Sequence, residues 1–139
     1  MKPIYHFVSS SFIAGSSFFV TQSVPVAVST LSIGFLIDVD HLFDYAIFCV
    51  QNRQRPRLTD FLNSKYYPRP KRVYIPLHSI ELILIIWLVA LNFSAISWAI
   101  WLSLSMSIHL MLDYAAYHPY ILHYSVLYRM SRGFFREEL

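Results

Sequence analysis

Residues Ile33 to Tyr45 read IGFLIDVDHLFDY, so Asp38, Asp40, His41 and Asp44 stand inside an otherwise apolar run. Carboxylates and imidazoles are the usual donors to first-row divalent cations, and they also carry general acid–base chemistry. The same residue types recur at three other places: His6 near the start, His78 and Glu81 in LHSIE, and His109 and Asp113 in HLMLD. On a helix turning 100° per residue, Asp38, Asp40, His41 and Asp44 fill an arc of about 160°. Phe35, Leu36, Val39, Leu42 and Phe43 take the other side. His78 and Glu81 form an i, i+3 pair and His109 and Asp113 an i, i+4 pair, with Ser105 extending that stripe by one turn. His6, Ser9, Ser10 and Ser17 share one side of the first apolar run, and Ser11 with Gly15 offers a small-residue surface for close packing.

Each motif has a plainer reading. DVDH can cap a helix, HLMLD can be an interhelical hydrogen-bonded pair, and His6 and His78 can be interfacial groups. Ser79 beside His78 is a weak nucleophile candidate, because a helix serine usually bonds its own backbone. His118 and His123 lie among tyrosines and read as interfacial, in an aromatic belt running from Tyr114 to Tyr128. The functional reading gains its weight from the four places taken together, so the elements that position them decide it.

The chain of 139 residues is 56% hydrophobic and only 14% charged, a balance that points to the bilayer. No charged residue occurs from Phe7 to Ile37, and TQSVP (Thr21 to Pro25) divides that run. The expected spans are about 4–20, 26–50, 76–92 and 95–116, with NFS as the tight turn of the last hairpin. A basic loop (51–75) and an interfacial tail (117–139) complete a single membrane domain. A signal peptide over residues 1–25 is the rival reading, and no convincing A-x-A site follows it. The lone Cys49 reads as packing filler.

The net charge is +3, and seven of the eleven Lys and Arg lie between Arg53 and Arg72. Flanking hydrophobic runs as they do, these charges suit phospholipid headgroups rather than nucleic acid. The positive-inside rule puts Lys2, the loop and the tail on the cytoplasmic side, and the uncharged connections at Gln22 and Phe93 on the other. At 1.5 Å per residue, Asp38 to Asp44 then lie roughly 10–18 Å from the cytoplasmic end of their span, and the other motifs fall in the same leaflet. The fold expectation is a four-helix membrane bundle with all its ionisable groups at one depth.

A charged group in mid-membrane costs roughly 2.5–3.5 kcal/mol on insertion scales. Asp38, Asp40, Asp44, Glu81 and Asp113 have no Lys or Arg inside any span to neutralise them, so they need protons or a cation. Mixed His/Asp donors suit Zn²⁺, with Mn²⁺ or Fe²⁺ as alternatives, whereas Mg²⁺ and Ca²⁺ favour oxygen alone. His6, Asp38, Asp40, His41, His78, His109 and Asp113 are the candidate ligands, enough for one or two ions. Asp44 and Ser105 would support them from behind. Glu81 is the candidate general base or acid. Arg69, Lys71 and Arg72, just outside the third span, are candidates for holding an anionic headgroup.

In order and spacing these residues resemble the LexA-regulated, YdjM-like family of small membrane-bound metal-dependent hydrolases. The family shows an early His, an Asp-x-Asp-His, a Thr-His-Ser and a His-x-x-x-Asp. The matching residues are His6; Asp38, Asp40 and His41; His78 in PLHS; and His109 with Asp113. This chain has RVYIPLHS where the family carries a His-Arg-Gly stretch, and Ile37 where a proline often stands. The resemblance implies an inner-membrane hydrolase with a metal held by the matched residues. The expected function is hydrolysis of a lipid or lipid-linked ester, phosphoesters included, at the cytoplasmic leaflet of a bacterial inner membrane. The alternatives are an ion- or proton-handling protein, or a metal-stabilised membrane subunit without catalysis. The outer halves offer mainly Gln22, Ser23, Asn92 and a few serines, which argues against a conducting path.

Overall fold

The computed structural model describes residues 3–62, 72–117 and 120–135, and all their regular structure is helical. Helix α1 (Pro3–Thr21) turns directly into α2 (Val24–Leu36), and α3 (Val39–Gln51) continues from α2. A short α4 (Leu58–Leu62) follows. Helices α5 (Ile80–Asn92) and α6 (Ile96–Tyr117) form a second hairpin, and a 3₁₀ turn (Ile121–Tyr124) leads into α7 (Val126–Ser131).

Both hairpins close by the same device, one residue in the left-handed region, Gln22 (φ 51) and Ser94 (φ 54). At the first, the Gln22 N–H bonds back to Phe18 O at 2.8 Å. Pro25 then sits in the first turn of α2, where its missing N–H has no intrahelical partner to lose. At the second, the Ala95 N–H reaches Ala90 O at 2.8 Å and closes α5.

The segment expected as one span over 26–50 is interrupted at its middle. At Ile37 and Asp38 the backbone tightens into i to i−3 bonds, Asp40 N–H to Ile37 O (3.4 Å) and His41 N–H to Asp38 O (3.1 Å). The end of α2 therefore keeps carbonyls without helical partners, and this becomes important at the site. Taken through the tightening, Val24–Gln51 is 28 residues long. Among the described residues, it and Ile96–Tyr117 are the two helices long and apolar enough to cross a membrane. Helix α5, at 13 residues, reaches only about 20 Å.

Helix α1 packs on α2 and α6, α2 also packs on α6, and α5 lies against α6. The helices approach closely at Gly34, where a Cβ would overlap the Ser105 and Ser10 hydroxyls. Gly15, expected on a packing face, instead faces open space. Cys49 fills a small apolar cluster with Tyr45 and Phe48, backed by Phe61 of α4. The Tyr45 hydroxyl accepts from the Arg57 N–H (2.9 Å) and donates to Arg57 O (3.1 Å), tying the chain after α3 back onto that helix.

Burial is inverted relative to a water-soluble domain. Among the described residues the buried set holds His6, Asp40, Asp44, His78, His109, Asp113, Arg129 and six Ser/Thr hydroxyls, as many polar side chains as apolar ones. The outside carries Phe12 (77% exposed), Phe19 (80%), Val50 (78%) and Phe93 (78%), with Leu84, Leu88 and Leu91 along α5. The chain from Tyr120 to Phe135 turns back over the residues that precede α5: the Val73 N–H bonds Phe134 O (3.1 Å), and Arg72 and Phe135 pair as an isolated antiparallel bridge.

Candidate metal centre

The two hairpins bring the start of α1, the α2–α3 junction, the approach to α5 and the end of α6 to one place. Four atoms converge there: Asp38 Oδ1, His78 Nε2, His109 Nε2 and Asp113 Oδ2. The two imidazole nitrogens are 3.2 Å apart. Asp38 Oδ1 lies 3.3 Å from His78 and 3.5 Å from His109, and Asp113 Oδ2 lies 3.5 Å and 3.4 Å from the same two nitrogens. For metal–ligand bonds of about 2.0–2.1 Å, a regular tetrahedron has edges of about 3.3–3.4 Å. The quartet has the dimensions of a first-row metal site.

The other ring nitrogens settle what the Nε2 atoms present. His109 Nδ1 lies 2.8 Å from Gly34 O, a carbonyl left over at the end of α2, so this nitrogen carries the proton and donates it. Ser105, one turn earlier on α6, donates to Thr30 O at 2.9 Å, so the two side chains form successive rungs between α6 and α2. His78 Nδ1 lies 3.0 Å and 3.1 Å from the two Asp40 oxygens and donates to that carboxylate. In its neutral form each imidazole is thereby held in the tautomer whose Nε2 is a bare lone pair. Two lone pairs at hydrogen-bond distance repel unless a cation or a proton lies between them. This is the carboxylate–histidine–metal and carbonyl–histidine–metal arrangement of ordinary metal centres.

The remaining expected ligands surround the quartet. His6 Nε2 lies 3.2 Å from Asp113 Oδ1, the oxygen turned away from the histidine pair, and its ring stacks on His109 with centroids 3.9 Å apart. Asp40 stands behind His78 and also accepts the Leu77 N–H (2.9 Å). His41 approaches Asp38 Oδ1 at 3.8 Å and, with Asp40 and His78, forms a second group of donors sharing His78. Asp44 accepts the Tyr74 N–H (2.7 Å) and so anchors the residues leading to His78. Side-chain exposure falls to 1–2% at His6, His78 and His109 but rises to 26% at Asp38 and 20% at His41. The centre opens on that edge.

Glu81 is not brought to the cluster. Ser79 is extended (φ −142, ψ 142), so His78 lies in a turn ahead of α5, and the helical i, i+3 relation with Glu81 does not form. The Glu81 carboxylate instead receives the Ser125 hydroxyl and the N–H groups of Val126 (3.0 Å) and Leu127 (3.2 Å), capping α7. The expected general base is therefore a tether for the C-terminal helix. Of the expected headgroup residues, Arg69 and Lys71 lie outside the described residues, as does His118. Arg72 is exposed, with its guanidinium 4.4 Å above the Phe135 ring. His123 is held below the usual imidazole range by burial, with a smaller contribution from Arg129.

The sequence reading missed Arg129, which is 1% exposed and donates to Ile75 O (2.7 Å) and His78 O (3.0 Å). Its signal was slight, an arginine set between the apolar Leu127 and Met130 in a segment expected to lie on the membrane surface. No family model, curated protein or solved structure matches this chain.

Proposed function

We propose that the chain is a membrane-embedded, metal-dependent hydrolase acting on a lipid or lipid-linked ester at the cytoplasmic leaflet. The observation that carries this reading is the converged quartet: three deeply buried donors, His78, His109 and Asp113, and one partly exposed donor, Asp38. Three protein ligands and one accessible position are the pattern of catalytic zinc, in which the ion supplies Lewis acidity and an activated water at neutral pH. In this reading Asp38 lines the accessible apex and takes up a proton there, with His41 beside it. His6 and Asp40 hold Asp113 and His78 in place.

The inverted burial supports the membrane setting, since a bundle with polar groups inside and Phe12, Phe19 and Leu88 outside suits hydrocarbon better than water. Four helices cross or enter the bilayer in this reading, and the basic loop and both termini face the cytoplasm by the positive-inside rule. The resemblance of DVDH, PLHS and HLMLD to the YdjM-like hydrolases points the same way, to a bacterial inner membrane. Leu36, Val39 and Leu42, close in sequence to Asp38 and His41, are exposed apolar side chains, which suits a helix pair bathed in lipid.

One observation favours a second reading. Four protein donors close a tetrahedral shell, and closed shells belong to structural metals, so the ion would then hold the bundle together for a partner. The deciding experiment is elemental analysis of the detergent-purified chain, followed by phospholipid and prenyl-phosphate hydrolysis before and after chelation. Zinc with chelator-sensitive turnover supports the hydrolase. Stoichiometric zinc with no turnover of either substrate class favours the scaffold, and absence of any metal overturns both.

A further inference from the structure

His78 stands in the irregular stretch before α5, whereas His109 and Asp113 lie within α6 and Asp38 in the turn that joins α2 to α3. The backbone from Val73 to Ser79 is irregular and partly buried, with Val73, His78 and Ser79 all below 5% exposure, so its polar groups must find partners outside regular structure. On one side it is held by α3: Asp44 takes the Tyr74 N–H, and Asp40 takes the Leu77 N–H and the His78 ring. On the other side it is held by the C-terminal segment. Ile75 O, which already accepts the His78 N–H (3.2 Å), also accepts from Arg129, and the same guanidinium takes His78 O. Arg129 is itself fixed because Glu81, in the first turn of α5, caps the helix that bears it. The clasp is reciprocal. A carboxylate beyond His78 holds α7, and a guanidinium from α7 holds the turn before α5.

We propose that Arg129 is a positioning residue of the metal centre: by bridging the carbonyls of Ile75 and His78 it sets where the His78 imidazole stands relative to Asp38, His109 and Asp113. The inference rests on the metal reading above. The planar guanidinium suits this role because it presents two donors at fixed spacing to two carbonyls, a rigidity that an ammonium on its flexible stem lacks. The C-terminal segment thus completes the centre although it supplies no ligand.

The test uses the full-length chain in detergent, titrated with Zn²⁺ and, separately, with Co²⁺, whose visible spectrum reports tetrahedral coordination. The expected result for Arg129→Ala is zinc binding weaker by about 10-fold or more, the scale of other outer-shell losses, with an altered Co²⁺ spectrum. Arg129→Lys should recover part of the affinity, since it restores a charged donor without the fixed fork that holds both carbonyls in place. A wild-type spectrum and affinity in a folded Arg129→Ala protein would overturn the proposal. If that variant does not fold, Arg129→Lys decides: full wild-type affinity and spectrum overturn the proposal, and a weaker, shifted site supports it. Wild-type protein that takes up neither ion would overturn the metal reading and this inference together. Metal binding that is indifferent to Arg129 would overturn this inference alone.

Discussion

His78 Nε2 and His109 Nε2 face each other at 3.2 Å, while each ring donates its Nδ1–H away from the other, to Asp40 and to Gly34 O. Two lone pairs set so close to one another favour a cation between them. Purified wild-type chain should hold zinc stoichiometrically, and His78→Ala or His109→Ala should lose it, as read by elemental analysis and calorimetric titration. Because the ion binds only the folded bundle, free zinc at 100 times Kd should stabilise it by about 2.7 kcal/mol, visible as a lowered thermal midpoint on chelation. An unchanged midpoint would argue against the site.

Asp38 and Asp40 lie two residues apart yet should behave differently. Asp40 meets His78 through Nδ1, so Asp40→Asn should weaken zinc binding by about 10–100-fold while leaving every ligand in place. Asp38→Asn should leave much of the zinc bound by His78, His109 and Asp113 and abolish chelator-sensitive hydrolysis. If Asp38→Asn instead releases the metal as completely as His109→Ala does, the shell is closed and the scaffold reading wins.

That His6, Asp38, His109 and Asp113 could be brought together was legible because uncharged runs of known length fix where each lies along its helix and helical periodicity fixes its face. The pairing of the hairpins supplied the rest. The Glu81 role was not legible, because a helical i, i+3 pair depends on the residue between being helical, and Ser79 is extended. Nor could the pattern separate Gly34 from Gly15. Gly34 stands between Ile33 and Phe35 and Gly15 between Ala14 and Ser16, and only the pairing of helices puts the first against Ser105 and leaves the second in open space. Arg129 was hidden for a related reason, since carbonyls released by irregular backbone at Ile75 and His78 leave no mark in the sequence.

Gly34 joins close packing to the site, because its carbonyl receives His109 and its missing Cβ makes room for the Ser105 and Ser10 hydroxyls. Gly34→Ala should cost about 1–3 kcal/mol, the usual penalty for overpacking, and should displace His109 along with α2. Adding Ser105→Ala removes one of the two overlapping oxygens and should recover part of that loss. The check is a double-mutant cycle in thermal stability, paired with zinc affinity. Strict additivity would mean that α2 and α6 do not meet as described.

Acid should strip the site. Metal binding requires both imidazoles to present bare lone pairs, so protons compete with the ion for the same two nitrogens. Zinc affinity should then fall with falling pH, by as much as about 100-fold per pH unit where both imidazoles protonate, as measured by competition with a chelator of known pH dependence. A pH-independent affinity between pH 5 and pH 7 would mean that fewer than two histidines bind the ion.

Glu81 separates two mechanisms that its position near His78 in sequence leaves confused. A general base removed from a hydrolase costs roughly 10²–10⁴ in rate, and no amount of metal restores it. The structure gives Glu81 a different role, because it receives Ser125, Val126 and Leu127 at the start of α7, and α7 presents Arg129 to the His78 turn. Glu81→Gln should therefore loosen the C-terminal segment, seen as faster proteolysis beyond Tyr120, and weaken zinc binding in the same direction as Arg129→Ala. At saturating zinc its turnover should return to within a few-fold of wild type. Turnover that stays down by about 100-fold at saturating zinc would restore Glu81 to the reaction itself.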